Sequence, residues 1–123
     1  MKFEFHYSPK HDVLSIYNYE KSRPEETVEF SEYLNIDIDK ENRIIGLEIF
    51  DATEFFGALN VGVDKEFLQN LEAVDLQQKE FRNNWFLAII LKSGEKIITQ
   101  PLPLLRKSEY ISPFVQYLQS LKH

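Results

Sequence analysis

The chain has 123 residues, 43% of them hydrophobic and 14% aromatic, with a net charge of −6 and no cysteine. That length and apolar content describe one folded domain with a real core and exclude bulk disorder. The missing cysteines exclude disulfides, thiolate metal sites and cysteine nucleophiles; the acidic balance speaks against nucleic acid, and no run nears the ~20 apolar residues of a membrane helix.

In chain order, Phe3, Phe5 and Tyr7 alternate with Lys2, Glu4 and His6, the period-2 pattern of a strand with one apolar face. Ser8 to Asp12 supplies proline turn chemistry, and Val13 to Tyr19 resumes β-character with Leu14 and Ile16 inward, so the two segments form a hairpin. Glu20 to Glu25 reads as a loop and Thr27 to Ser31 as a short edge strand. The clearest segment is Leu34 to Asp51. A four-residue loop Lys40–Arg43 pairs Asp39 with Ile44, Ile38 with Ile45, Asp37 with Gly46, and Leu34 with Ile49. One face then carries Leu34, Ile36, Ile38, Ile45, Leu47 and Ile49; the other carries Asn35, Asp37, Asp39 and Glu48.

Residues 51–57 fit a turn or short helix stopped by Gly57, and Asp64 can cap a helix over Lys65 to Asn70. Ala73 to Phe81 and Asn84 to Lys92 read as strands, the second apolar on both faces and therefore central and covered. Ser93-Gly94 turns the chain into a return strand, Glu95 to Gln100, which Pro101 and Pro103 end. Ser112 and Pro113 open a C-terminal helix whose stripe of Phe114, Val115, Leu118 and Leu121 is expected to pack on the sheet.

Several stretches of the first half carry a resemblance: Tyr7-Ser8-Pro9, Asp12 to Tyr17, Glu26 to Glu29, Asn35 to Asp39, Arg43 to Ile49 and Asp51-Ala52. In these residues the chain resembles a small prokaryotic family, domain-of-unknown-function number twenty-two eighty-three. Relatives usually place glycine in the hairpin loop where Asn42 stands, and asparagine also tolerates left-handed backbone. The resemblance implies a β-rich fold and self-association, and for some short relatives an antitoxin-like pairing with a neighbouring protein. It implies no reaction.

Asp37, Asp39, Glu41 and Glu48 fall at positions one, three, five and twelve of a calcium-loop pattern, with Ile44 at its apolar position. Strand flanks and Asn42 in place of glycine argue against a calcium loop, so a solvated sheet face is the simpler account. His6, His11 and His123 lack a third ligand at diagnostic spacing; no nucleophile elbow occurs, and the four glycines form no phosphate-cradling loop. Phe50, Phe55 and Phe56 cluster after the hairpin, and either the rest of the chain or a subunit interface would have to cover them.

The expectation is therefore a single α+β domain over residues 1–123, with residues 1–58 family-like and 59–123 additional. An antiparallel meander of seven to eight strands carries the C-terminal helix on one side. Its expected function is a non-enzymatic interaction or regulatory module, cytoplasmic, homodimeric or engaging another protein, with no cofactor, nucleic acid or membrane. The competing expectation is a small-ligand or divalent-cation binder, with hydrolysis as a variant, using Asp37, Asp39 and Glu48.

Overall fold

A computed structural model describes residues 3–20, 22–59, 62–81, 84–102 and 105–106. The helix expected over residues 112–121 lies outside them.

The first sheet contains β1 (Glu4–Ser8), β2 (Val13–Tyr17), β3 (Glu26–Ser31), β4 (Leu34–Ile38) and β5 (Ile44–Ile49), in the order β1-β2-β5-β4-β3 and antiparallel throughout. Alternation decides its inner face: Leu14, Ile16, Val28, Leu34, Ile36, Leu47 and Ile49 are all buried. The fully buried Leu14, Ile36 and Ile49 each stabilise the fold by about 1.5–3 kcal/mol relative to exposure.

The expected hairpin register holds from Leu34–Ile49 to Asp37–Gly46 and then fails by one residue. The loop is tighter than four residues. The Asp39 amide donates to the Arg43 carbonyl at 3.0 Å and the Asn42 amide to the Asp39 carbonyl at 3.0 Å, with Asn42 left-handed at φ 61°. Ile38 therefore faces Ile44, and a bulge at Ile45 absorbs the offset. Ile44 takes the core position expected of Ile45, while Ile45 is buried outside the main cluster.

Two short helices follow, α1 (Ala52–Leu59) and α2 (Lys65–Gln69). Helix α1 runs past Gly57 instead of stopping there, because Gly57 keeps helical backbone. Asp64 caps α2 as expected, accepting from the Phe67 amide at 2.9 Å.

The second sheet holds β6 (Ala73–Phe81), β7 (Asn84–Ser93) and β8 (Lys96–Pro101) in that order, with β9 (Leu105–Arg106) also pairing β7. The expected single meander is thus two sheets. An isolated antiparallel bridge, Phe3–Val74, is where β1 meets β6. Ala52, Phe56, Phe67 and Leu68 of the helices join Leu87, Ile89, Leu91 and Ile98 in the same core cluster as the first sheet. The helices that close the core among the described residues are mid-chain, between the two sheets in sequence.

Candidate functional site

The acidic hairpin comes first because the sequence singles it out. Asp39 is only 3% exposed, and its carboxylate is fully engaged by its own loop and by Ser22. Oδ1 accepts from the Glu41 and Arg43 amides at 2.9 Å each; Oδ2 accepts from Arg43 Nε at 2.9 Å and Ser22 Oγ at 3.0 Å. Burial pushes this carboxyl up, but the hydrogen bonds from the Arg43 backbone, Ser22 and the Arg43 side chain outweigh it, so the group ionises below the usual carboxylate range. Asp39 is not part of a solvated face; it is the internal brace of the hairpin loop.

Asp37 does lie on the outer face, opposite Thr27 on one side and Gly46 on the other. Tyr19 donates to its Oδ2 at 2.6 Å and Thr27 to its Oδ1 at 2.7 Å. Gly46 makes room for this arrangement, since a Cβ there would stand 2.8 Å from Asp37 Oδ2 and 3.2 Å from the Tyr19 hydroxyl. Burial first, then the Asp37 hydrogen bond and charge, push the Tyr19 hydroxyl well up. Glu48 is exposed between Ser15 and Asn35 in the ladder. The three acids are brought near one another in the hairpin but not to one point. No group of three or more His, Asp or Glu able to hold a metal ion occurs among the described residues. His6 and His11 are exposed near the first turn.

The aromatic cluster divides. Phe56 is fully buried inside the chain and offers no surface for a partner. Phe55 is half-buried, 5.4 Å edge-on to Phe56 and stacked 6.2 Å from Tyr33, whose hydroxyl donates to Glu54 at 2.8 Å. Phe50 is half-buried, and its amide donates to the Tyr33 carbonyl. For Phe55 and Phe56 the chain itself supplies cover.

Two features escape the sequence. Asp12, left-handed at φ 55° in the β1–β2 turn, binds the start of α1 across 41 residues. It accepts from the Thr53 amide at 3.2 Å, from the Thr53 hydroxyl at 2.5 Å and from the Tyr7 hydroxyl at 2.7 Å, while its carbonyl accepts from the Ala52 amide. Burial raises its carboxyl and the Thr53 and Tyr7 hydrogen bonds lower it further, leaving it below the ordinary value. No local motif announces a cap supplied from another turn.

The second feature is the outer face of the second sheet. Register puts Phe86, Ala88 and Ile90 of β7 beside Ile97, Thr99 and Pro101 of β8 on that face. Phe86 is 47% exposed and Ile97 62%. A concavity of about 440 Å³ opens beside Lys79, Phe86, Ala88 and Pro101. Its sequence signal is the pair Ile97-Ile98: in a period-2 strand two consecutive isoleucines cannot both face the core.

No helix among the described residues is long and apolar enough to cross a membrane. No curated protein and no solved structure is significantly similar to the chain. Residues 4–52, covering the first sheet and the entry to α1, match the family model described as a protein of unknown function (DUF2283).

Proposed function

We propose that the chain is a non-enzymatic interaction module that pairs with a second copy of itself through the outer face of β7 and β8. The carrying observation is Ile97, an aliphatic side chain left 62% exposed at one end of a strand surface that also carries Ile90, Ala88, Phe86 and Pro101. At the other end of that face lies the concavity beside Phe86 and Pro101, four residues or roughly 13 Å further along β8.

A knob at one end and a hole at the other make a self-complementary surface. A two-fold axis through the middle exchanges the ends, so each Ile97 meets the other copy's concavity. Charge supports the same reading. Among the described residues Lys79 and Lys92 stand on this face with Asp75, so a chain of net −6 presents its copy a face without excess negative charge. Large exposed apolar patches on soluble domains mark contact surfaces of this kind.

Sedimentation equilibrium from about 1 to 300 μM tests it. The expected result is a monomer–dimer equilibrium that Ile97→Glu shifts at least tenfold toward monomer. Ile97 sits opposite Lys92, so the new glutamate gains a cross-strand partner and the monomer stays folded. A parent chain that stays monomeric at 300 μM, or an Ile97→Glu variant that dimerises like the parent, overturns the proposal.

A further inference from the structure

A second cavity, of about 230 Å³, lies at the seam where the two sheets part, and nothing in the proposed pairing uses it. Its position follows from two irregularities. Among the described residues β1 and β6 meet through one isolated bridge, Phe3–Val74, so the sheets do not zip into one ladder there. The bulge in β5 turns Ile45 away from the main core, where it is 6% exposed yet belongs to no part of the core cluster. Phe3, Ile45 and Leu76 give the cavity an apolar lining.

Its polar wall is fixed in orientation. Gln78 shares the inward face of β6 with Val74 and Leu76, and its Oε1 accepts from the Ile44 amide at 3.0 Å, the backbone donor beside the bulge. A backbone N–H can only donate, so the atom facing it must be the carbonyl oxygen. Gln78 Nε2 is left as a donor with no partner among the described residues. Arg43 reaches the same wall with Nε on Asp39 and Nη2 3.3 Å from Glu41. Ser22, already donating to Asp39, keeps acceptor capacity there.

These groups select a ligand class. Gln78 Nε2 is the donor on this wall left without a partner among the described residues, so a ligand that satisfies it must bring an oxygen acceptor. The one cation among the described lining residues, Arg43, is already faced by two carboxylates, Asp39 and Glu41, and an additional anion would meet net negative charge. An apolar cavity of roughly 150 Å³ is known to hold a benzene ring, so this one has room for a ring with a short polar arm. We infer that the seam cavity is a binding site for a small uncharged molecule, an apolar ring or short chain carrying a carbonyl or amide oxygen, with Gln78 Nε2 as its orienting donor.

The test uses benzamide as probe and benzoate as its charged isostere, followed by amide NMR of the full chain. Benzamide should give saturable shifts centred on Ile44, Ile45, Leu76 and Gln78, with half-saturation on the order of 1 mM as for fragments of this size. Benzoate should bind at least tenfold more weakly. Gln78→Glu keeps the oxygen that the Ile44 amide needs and replaces the donor by an acceptor, so benzamide affinity should fall at least tenfold. Ile45→Phe fills the cavity and should abolish binding even if the Gln78→Glu chain folds poorly. The inference is overturned by shifts centred elsewhere, by no saturation at 20 mM, by benzoate binding equally, or by either variant binding as the parent does. Because Gln77 and Lys79 of the pairing face lie on the opposite side of β6 from Gln78, a failure here leaves the dimer proposal untouched.

Discussion

Asp39→Asn separates a bracing carboxylate from a ligand-binding one. The substitution preserves shape, and the asparagine carbonyl can still accept from the Glu41 and Arg43 amides that Oδ1 holds at 2.9 Å. What changes is Oδ2, replaced by an NH2 that confronts Arg43 Nε, a donor that cannot accept. A hydrogen bond to a charged group contributes about 1.5–3 kcal/mol. Arg43 is half exposed and can turn to water, which puts the expected loss near the lower end, about 2 kcal/mol. Asp39→Ala also strands the two backbone donors, each costing a further ~1 kcal/mol or more, for a total of about 4 kcal/mol. At this chain length 1 kcal/mol moves Tm by about 4 °C, so Tm should fall by about 8 °C and 16 °C respectively. Urea unfolding followed by circular dichroism gives both free energies directly. The pH dependence supplies a signature of its own. The folded-state carboxyl ionises below its unfolded value of about 3.9, so its contribution is complete above that value and disappears as pH falls through the folded value. The gap between parent and Asp39→Asn should therefore be full at pH 7 and close below about pH 4. Losses under 0.5 kcal/mol for both variants, or a gap that persists unchanged at pH 3, would refute the bracing role.

Further substitutions probe the other parts of the scaffold. Gly46→Ala drives a methyl to 2.8 Å from Asp37 Oδ2 and should cost about 1–2 kcal/mol in urea unfolding, as the Tyr19 and Thr27 hydrogen bonds loosen. Gly57→Ala goes the other way, because a Cβ there meets nothing within 4 Å and the backbone is helical; a gain of about 0.5–1 kcal/mol is expected in the same assay. Asp12→Asn keeps a side chain that tolerates φ 55° but removes the charge at the start of α1, costing about 1 kcal/mol. The same variant should let Tyr7 ionise at lower pH in a tyrosine NMR titration, since burial, the Asp12 hydrogen bond and the Asp12 charge together push that hydroxyl up.

What the sequence reveals and conceals divides along a physical line. Period-2 alternation located the strands and the inner face Leu34, Ile36, Leu47 and Ile49, because burial of one sheet face leaves a direct trace in residue order. It could not locate the bulge. Ile44 and Ile45 are chemically identical, so pattern alone cannot say which one enters the core, and the three-residue loop decides it. Gly57 illustrates the opposite failure: a helix-stopping residue is overruled where Phe56 is fully buried and tertiary packing carries the helix to Leu59. The split into two sheets was hidden because, among the described residues, β1 meets β6 at one isolated bridge, a contact between residues 3 and 74.

The place of Asp39 was hidden for a related reason. A run of acids at alternate positions looks alike whether the carboxylates face water, a cation or their own backbone, and only the partners distinguish these cases. Asp12, Asp37 and Asp39 each accept two or more hydrogen bonds from neighbouring residues of the chain. All three lie within residues 4–52, the stretch that matches the family model, and there they hold a turn, a strand surface and a loop. The two most exposed large apolar side chains among the described residues, Ile97 and Phe86, lie in the other half of the chain. The matched stretch thus supplies a braced scaffold, and the proposed pairing face is carried by β7 and β8, to which that match does not extend. A direct consequence is that neutralising the acids of the first half should lower stability and leave the dimer constant of the folded chain unchanged, whereas Ile97→Glu should weaken the dimer and leave the monomer folded.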